Sequence, residues 1–157
     1  MTKWLLACLL ACAPWPAGAF VTCSFSSTPG MAFGAYDDSS PLPTDGATTI
    51  IVRCLRFAGP NSANVMLQVG PSANSGSIAA RQMRSGGNPM NYNLYRDGAR
   101  TQIWGQTAGV DTMSVNVTGI PNFGSRNASF TLYGRVPALE NVPAGAYSDT
   151  VQLTVSP

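Results

Sequence analysis

The chain has 157 residues, of which only a tenth are charged, and no histidine at all. Nine basic and seven acidic side chains leave a formal charge of +2, which gives no electrostatic case for nucleic acid or an anionic membrane surface as a partner. Without histidine, Ser-His-Asp and Cys-His catalysis and histidine-ligated metals are excluded.

Residues 1–19 read as an export leader. Lys3 supplies the positive start, Trp4 to Ala13 an apolar run too short to span a bilayer, and Ala17-Gly18-Ala19 a small-residue cleavage site before Phe20. Residues 20–157 then have the size of one domain, whose solubility rests on Ser, Thr, Asn and Gly. Cys8 and Cys12 leave with the leader, and Cys23 and Cys54 are expected to form one disulfide in an oxidising compartment. Closing that loop contributes roughly 3–4 kcal/mol in the chain-entropy picture.

In chain order, strand signals dominate. Val21 to Ser26 places Val21, Cys23 and Phe25 on one face, and Thr48 to Cys54 places Ile50, Val52 and Cys54 together. Both cysteines therefore sit on apolar faces, with Pro41 to Gly46 read as the loop between these strands. Val65, Leu67 and Val69 mark a third strand, and Tyr92 and Leu94 a fourth. Asp97-Gly98 is expected to turn the chain into a fifth at Thr101 to Trp104. Met113, Val115 and Val117 mark the sixth. Phe130, Leu132 and Gly134 lie in the seventh, which ends at Pro137, and Val151, Leu153 and Val155 in the eighth. No stretch sustains a 3.6-residue period, and Gly and Pro punctuate the chain throughout. Short strands at this spacing predict an all-β fold, an antiparallel β-sandwich of immunoglobulin-like type.

Chemistry-bearing motifs are missing: there is no G-x-S-x-G, Walker A or dinucleotide fingerprint, and no nucleophile with a base beside it. The chain is expected not to be an enzyme and to need no cofactor. Asp37-Asp38 reads as a solvated loop, because neighbouring side chains on a strand point apart. Trp104, Tyr92, Tyr95 and Tyr133 read as core and cross-strand packing. Phe123, among the turn residues Pro121, Asn122 and Gly124, is expected to be exposed and is a candidate contact point.

Longer strings carry a resemblance. "ARQM" (80–83), "MNYNLYRDGARTQIWG" (90–105) and "LYGRVPALENVPAGAYSDTVQLTV" (132–155), with Cys23, Phe33-Gly34-Ala35-Tyr36 and Cys54, closely resemble the spore coat protein U domain family. That family includes subunits of archaic, Csu-type chaperone–usher pili. The resemblance implies an immunoglobulin-like sandwich lacking its last strand, with a disulfide between its first two strands at Cys23 and Cys54. It implies that a periplasmic chaperone, and then another pilus subunit at the outer-membrane usher, supplies the missing strand by strand addition. Val151, Leu153 and Val155 would line the groove that receives it.

The resemblance further implies a secreted protein that reaches the cell surface through the periplasm and acts in adhesion and biofilm formation. Such subunits donate a strand from an extension ahead of the first cysteine. Cleavage after Ala19 leaves only Phe20-Val21-Thr22 there, so the expectation is a subunit that accepts a strand without giving one, at the tip or at the start of a fibre. The family's tip adhesins have two domains, whereas a single one is read here. The alternative is a spore-coat or cell-surface coat protein that forms no fibre.

Overall fold

The computed structural model describes residues 20–157; the leader read at residues 1–19 lies outside them. Eight strands follow in order: β1 (Val21–Ser27), β2 (Thr44–Arg56), β3 (Ala63–Ser72), β4 (Arg81–Ser85), β5 (Asn88–Tyr95), β6 (Met113–Val117), β7 (Gly124–Val136) and β8 (Val151–Ser156). Among the described residues there is no helix. All the pairings are antiparallel, in a five-stranded sheet of order β1-β2-β7-β5-β4 and a three-stranded sheet of order β6-β3-β8. The result is the expected immunoglobulin-like sandwich.

Period-2 alternation explains the core. Ile50, Val52 and Cys54 of β2 and Ala128, Phe130 and Leu132 of β7 are buried on one sheet, and Val65, Leu67 and Val69 of β3 are buried on the other. Trp104 is wholly buried between them, its ring 6.2 Å from that of Phe130 and its indole N–H donating to the Leu67 carbonyl at 3.0 Å. Cys23 and Cys54 are register partners of β1 and β2 and form the disulfide.

Three strand readings need correction. Thr101 to Trp104 forms no strand. A single bridge, Tyr95 to Ile103, is all the pairing it makes, because Asp97 accepts hydrogen bonds from the Thr101 and Gln102 amides and curls the segment. The expected loop at Pro41 to Gly46 ends earlier, since β2 already pairs with β7 from Thr44. A further strand, β4, was not anticipated at Arg81–Ser85, where a charged residue occupies an inward-facing position.

That residue, Arg81, is 0% exposed. Its guanidinium donates to the carbonyls of Val69 and Gly70 on β3, to those of Ile78 and Trp104, and to Asn93 Oδ1 on β5. Burial lowers the affinity of this guanidinium for its proton, an effect opposed by the Tyr92, Asp149 and Asp111 side chains. The buried cation is thus satisfied by oxygen dipoles and ties one sheet to the other. Replacing it by methionine, Arg81→Met, keeps the volume but orphans these carbonyls. We expect a loss of about 3–5 kcal/mol in equilibrium urea unfolding; a loss below about 1 kcal/mol would show that the network does not hold the sheets.

Candidate strand-accepting groove

Among the described residues β8 pairs with β3 on one side only and β1 with β2 on one side only, so each is an edge strand there. Such an edge presents unpaired amide and carbonyl groups. Between the two sheets on this open side lies a groove of about 550 Å³. Ile50, Leu132, Leu94 and Tyr92, from the inner face of the five-stranded sheet, form its floor. Val151 and Leu153 of β8 flank it, with Phe25 of β1 and the segment Thr28 to Phe33 also in the lining. Val155, the third residue read as lining, points to the same side of β8 but packs against the core beyond the groove. A second depression, of about 560 Å³, shares Met31, Phe33, Met83 and Tyr147 with the first and extends it toward Val142.

The segment Met31 to Phe33 crosses the five-stranded sheet on a pair of glycines. Gly46 and Gly134 are register partners on β2 and β7. A Cβ at Gly46 would meet the Ala32 carbonyl at 3.2 Å, and one at Gly134 would meet the Phe33 ring at 2.7 Å and the Met31 sulfur. The missing side chains let the segment sit directly on the sheet. Tyr36 fixes its far end, its hydroxyl donating to the Pro137 carbonyl and accepting from the Glu140 amide, both at 2.8 Å. These contacts explain why Phe33-Gly34-Ala35-Tyr36 stands out in a region without regular pairing.

A polar anchor sits in the apolar groove. Tyr92 Oη donates to Asp149 Oδ2 at 2.6 Å, and the Phe33 ring packs edge-on to Tyr92 at 6.0 Å. The other Asp149 oxygen accepts from the Asn74 amide at 3.3 Å. Just before it, Ser148 forms a two-bond bridge with Arg84 of β4. The chain entering β8 is therefore pinned to β4 and β5 while the strand beyond it keeps a free edge. Sequence reasoning missed Arg81, Tyr92 and Asp149 as partners; their role depends on which residues lie opposite, and the strings "ARQM" and "AYSDTV" alone carry only position.

Phe123 is 83% exposed, as expected, and holds a left-handed backbone conformation (φ 52°) beside Gly124. Asp37 lies in an exposed turn, its carboxylate held below the usual range by hydrogen bonds from the Ser39 hydroxyl and amide. Tyr92 behaves in the opposite sense. Burial, and then the hydrogen bond to Asp149, pushes its phenol above its ordinary value.

The sign of that shift gives a test. Above about pH 10 the unfolded chain ionises this tyrosine and the folded one does not, so stability from Tyr92 is complete below pH 10 and is lost as pH rises, by about 1.4 kcal/mol per pH unit. Tyr92→Phe should cost about 1–3 kcal/mol near neutrality. In denaturation curves collected across pH, the gap between wild type and variant should narrow above about pH 10. A gap that stays constant to high pH would contradict the burial of this hydroxyl.

Comparison with known proteins places these features. The family model described as Spore Coat Protein U domain matches residues 16–154. "Protein U" of Myxococcus xanthus is 34% identical over 148 residues, covering 85% of this chain and 76% of that protein. Among solved structures, one similar chain is in the chaperone–tip adhesion subunit pre-assembly complex of the archaic chaperone–usher Csu pili of Acinetobacter baumannii. It superposes with a TM-score of 0.53 at 16% identity over 87% of this chain, a likeness of fold. The alignment spans only 39% of that chain's length.

Proposed function

The chain belongs to the spore coat protein U domain family, and from that membership we propose that it is a secreted structural subunit of a surface pilus that receives a strand from another polypeptide. The observation that carries this reading is the apolar groove beside the free edge of β8. A strand laid there gains main-chain hydrogen bonds from the edge, and its alternate side chains displace water from Leu94, Leu132, Val151 and Leu153. The proposed donors are a periplasmic chaperone during export, then a further pilus subunit at the outer-membrane usher. Residues 1–19 serve in this reading as the export leader, and residues 20–157 as the one pilin-like domain. Val155 extends the same face of β8 toward the end of the strand.

Position and role in the fibre are finer proposals. A place at the tip or at initiation, with a role in adhesion and biofilm formation, is the finer reading of a subunit that accepts a strand in this groove. Phe123 is the proposed contact with the surface, since a ring this exposed contributes nothing to the core. Replacing it, as Phe123→Ala, should lower retention on apolar surfaces in a wash-off assay without changing the unfolding midpoint. Unchanged retention would remove it from the contact. The description of the family favours a second reading, a coat component that assembles without a fibre.

The decisive experiment is expression of the full chain in a periplasm with and without a candidate chaperone. The proposal predicts a soluble 1:1 complex with it, and aggregation or degradation alone. Leu153→Asp, which places a charge against the groove, should abolish the complex. A protease-resistant monomer recovered without any partner would end the strand-accepting reading.

A further inference from the structure

Charge is unevenly placed on this nearly neutral molecule. The β2–β7 ladder runs from Thr44 and Val136 at one end to Arg56 and Gly124 at the other. Asp45 takes both salt bridges found among the described residues, from Arg135 and Arg100, at the first end. Arg53 lies eight residues along β2, about 26 Å away at strand spacing, well beyond the screening length of about 10 Å. The loops at Arg53's end, residues 57–62 and 118–123, contain no acidic residue.

At that end Arg53 and Arg126 line one surface depression of about 590 Å³ with Ser26, Ser125, Asn127 and Pro121. Each guanidinium is held by its Nε alone. Arg53 Nε donates to Ser125 Oγ at 2.9 Å, and Arg126 Nε to the Gly119 carbonyl at 3.0 Å. Among the described residues, the four Nη groups make no hydrogen bond, and neither arginine meets a carboxylate. A guanidinium fixed at Nε with its Nη pair free is oriented to take an oxyanion. The Ser26 hydroxyl and the Asn127 amide, also without protein partners among the described residues, add neutral hydrogen-bonding groups of the kind that meet sugar hydroxyls. The exposed Phe123 ring stands in the same loop as Pro121 of the lining.

We propose that this depression binds an acidic polysaccharide, with Arg53 and Arg126 reading its carboxylate or sulfate groups. The depression shares no lining residue with the strand-accepting groove, and the inference holds whether or not a donated strand fills that groove.

The test uses the exported full chain, isolated with whatever partner it carries and titrated at low salt with polygalacturonate, dextran sulfate and neutral dextran. Both acidic polymers should bind at least about tenfold more tightly than dextran, and Arg53→Gln with Arg126→Gln should lose about tenfold in affinity. Each single substitution should give part of that loss, while thermal unfolding followed by circular dichroism stays unchanged. Dextran bound as well as the acidic polymers, or full affinity in the double variant, would overturn the assignment. Duplex DNA bound as tightly as the acidic polymers, with the same loss in the variant, would also overturn it by showing a response to charge alone.

Discussion

One buried cation holds this sandwich in register. Arg81 stands on β4 of the larger sheet, and its guanidinium reaches the Val69 and Gly70 carbonyls of the smaller one and the Trp104 carbonyl between them. No apolar side chain could do the same, because these carbonyls would be buried without partners. The same arginine bonds to Asn93, whose Oδ1 also takes the Leu94 amide, so β5 is fixed relative to β3. Everything that shapes the open side of the molecule depends on that distance.

The groove follows from what the second sheet leaves uncovered. Three strands cannot cover the inner face of five. The part of that face around Gly46, Leu132 and Gly134 is met instead by the segment Met31 to Phe33, which lacks ladder pairing and rests on the two glycines. Two side chains at those positions would lift the segment and fill the floor. The Tyr92–Asp149 hydrogen bond then fixes the entry to β8 against β5. The polar anchors lie at the start of β8 and the apolar face lies along it.

The arginine pole shows the limit of whole-chain arithmetic. A formal charge of +2 argued against polyanionic partners, and averaged over the surface it does. Ladder register gathers the acidic partner Asp45 at one end and, among the described residues, leaves Arg53 and Arg126 without acidic partners at the other. Local field, and not net charge, sets what a surface attracts at short range.

The sequence by itself determined the class of fold, the alternation that buries Ile50, Val52, Phe130 and Leu67, the pairing of Cys23 with Cys54, and the exposure of Phe123. These are local properties: a period of two and a ring among turn residues act within a few positions of the chain. The family was also legible, in strings whose order spans most of the domain. Only the tertiary structure decided that Thr101 to Trp104 is a loop driving Trp104 into the core, that an inward arginine makes β4 a strand, and that Gly46 faces Gly134. Arg81 resembles a surface polar residue in sequence, and Tyr92 a packing aromatic with no visible polar partner, because Gly70 and Asp149, which satisfy them, lie 11 and 57 positions away. Long-range pairing chose those partners, and no local pattern encodes it.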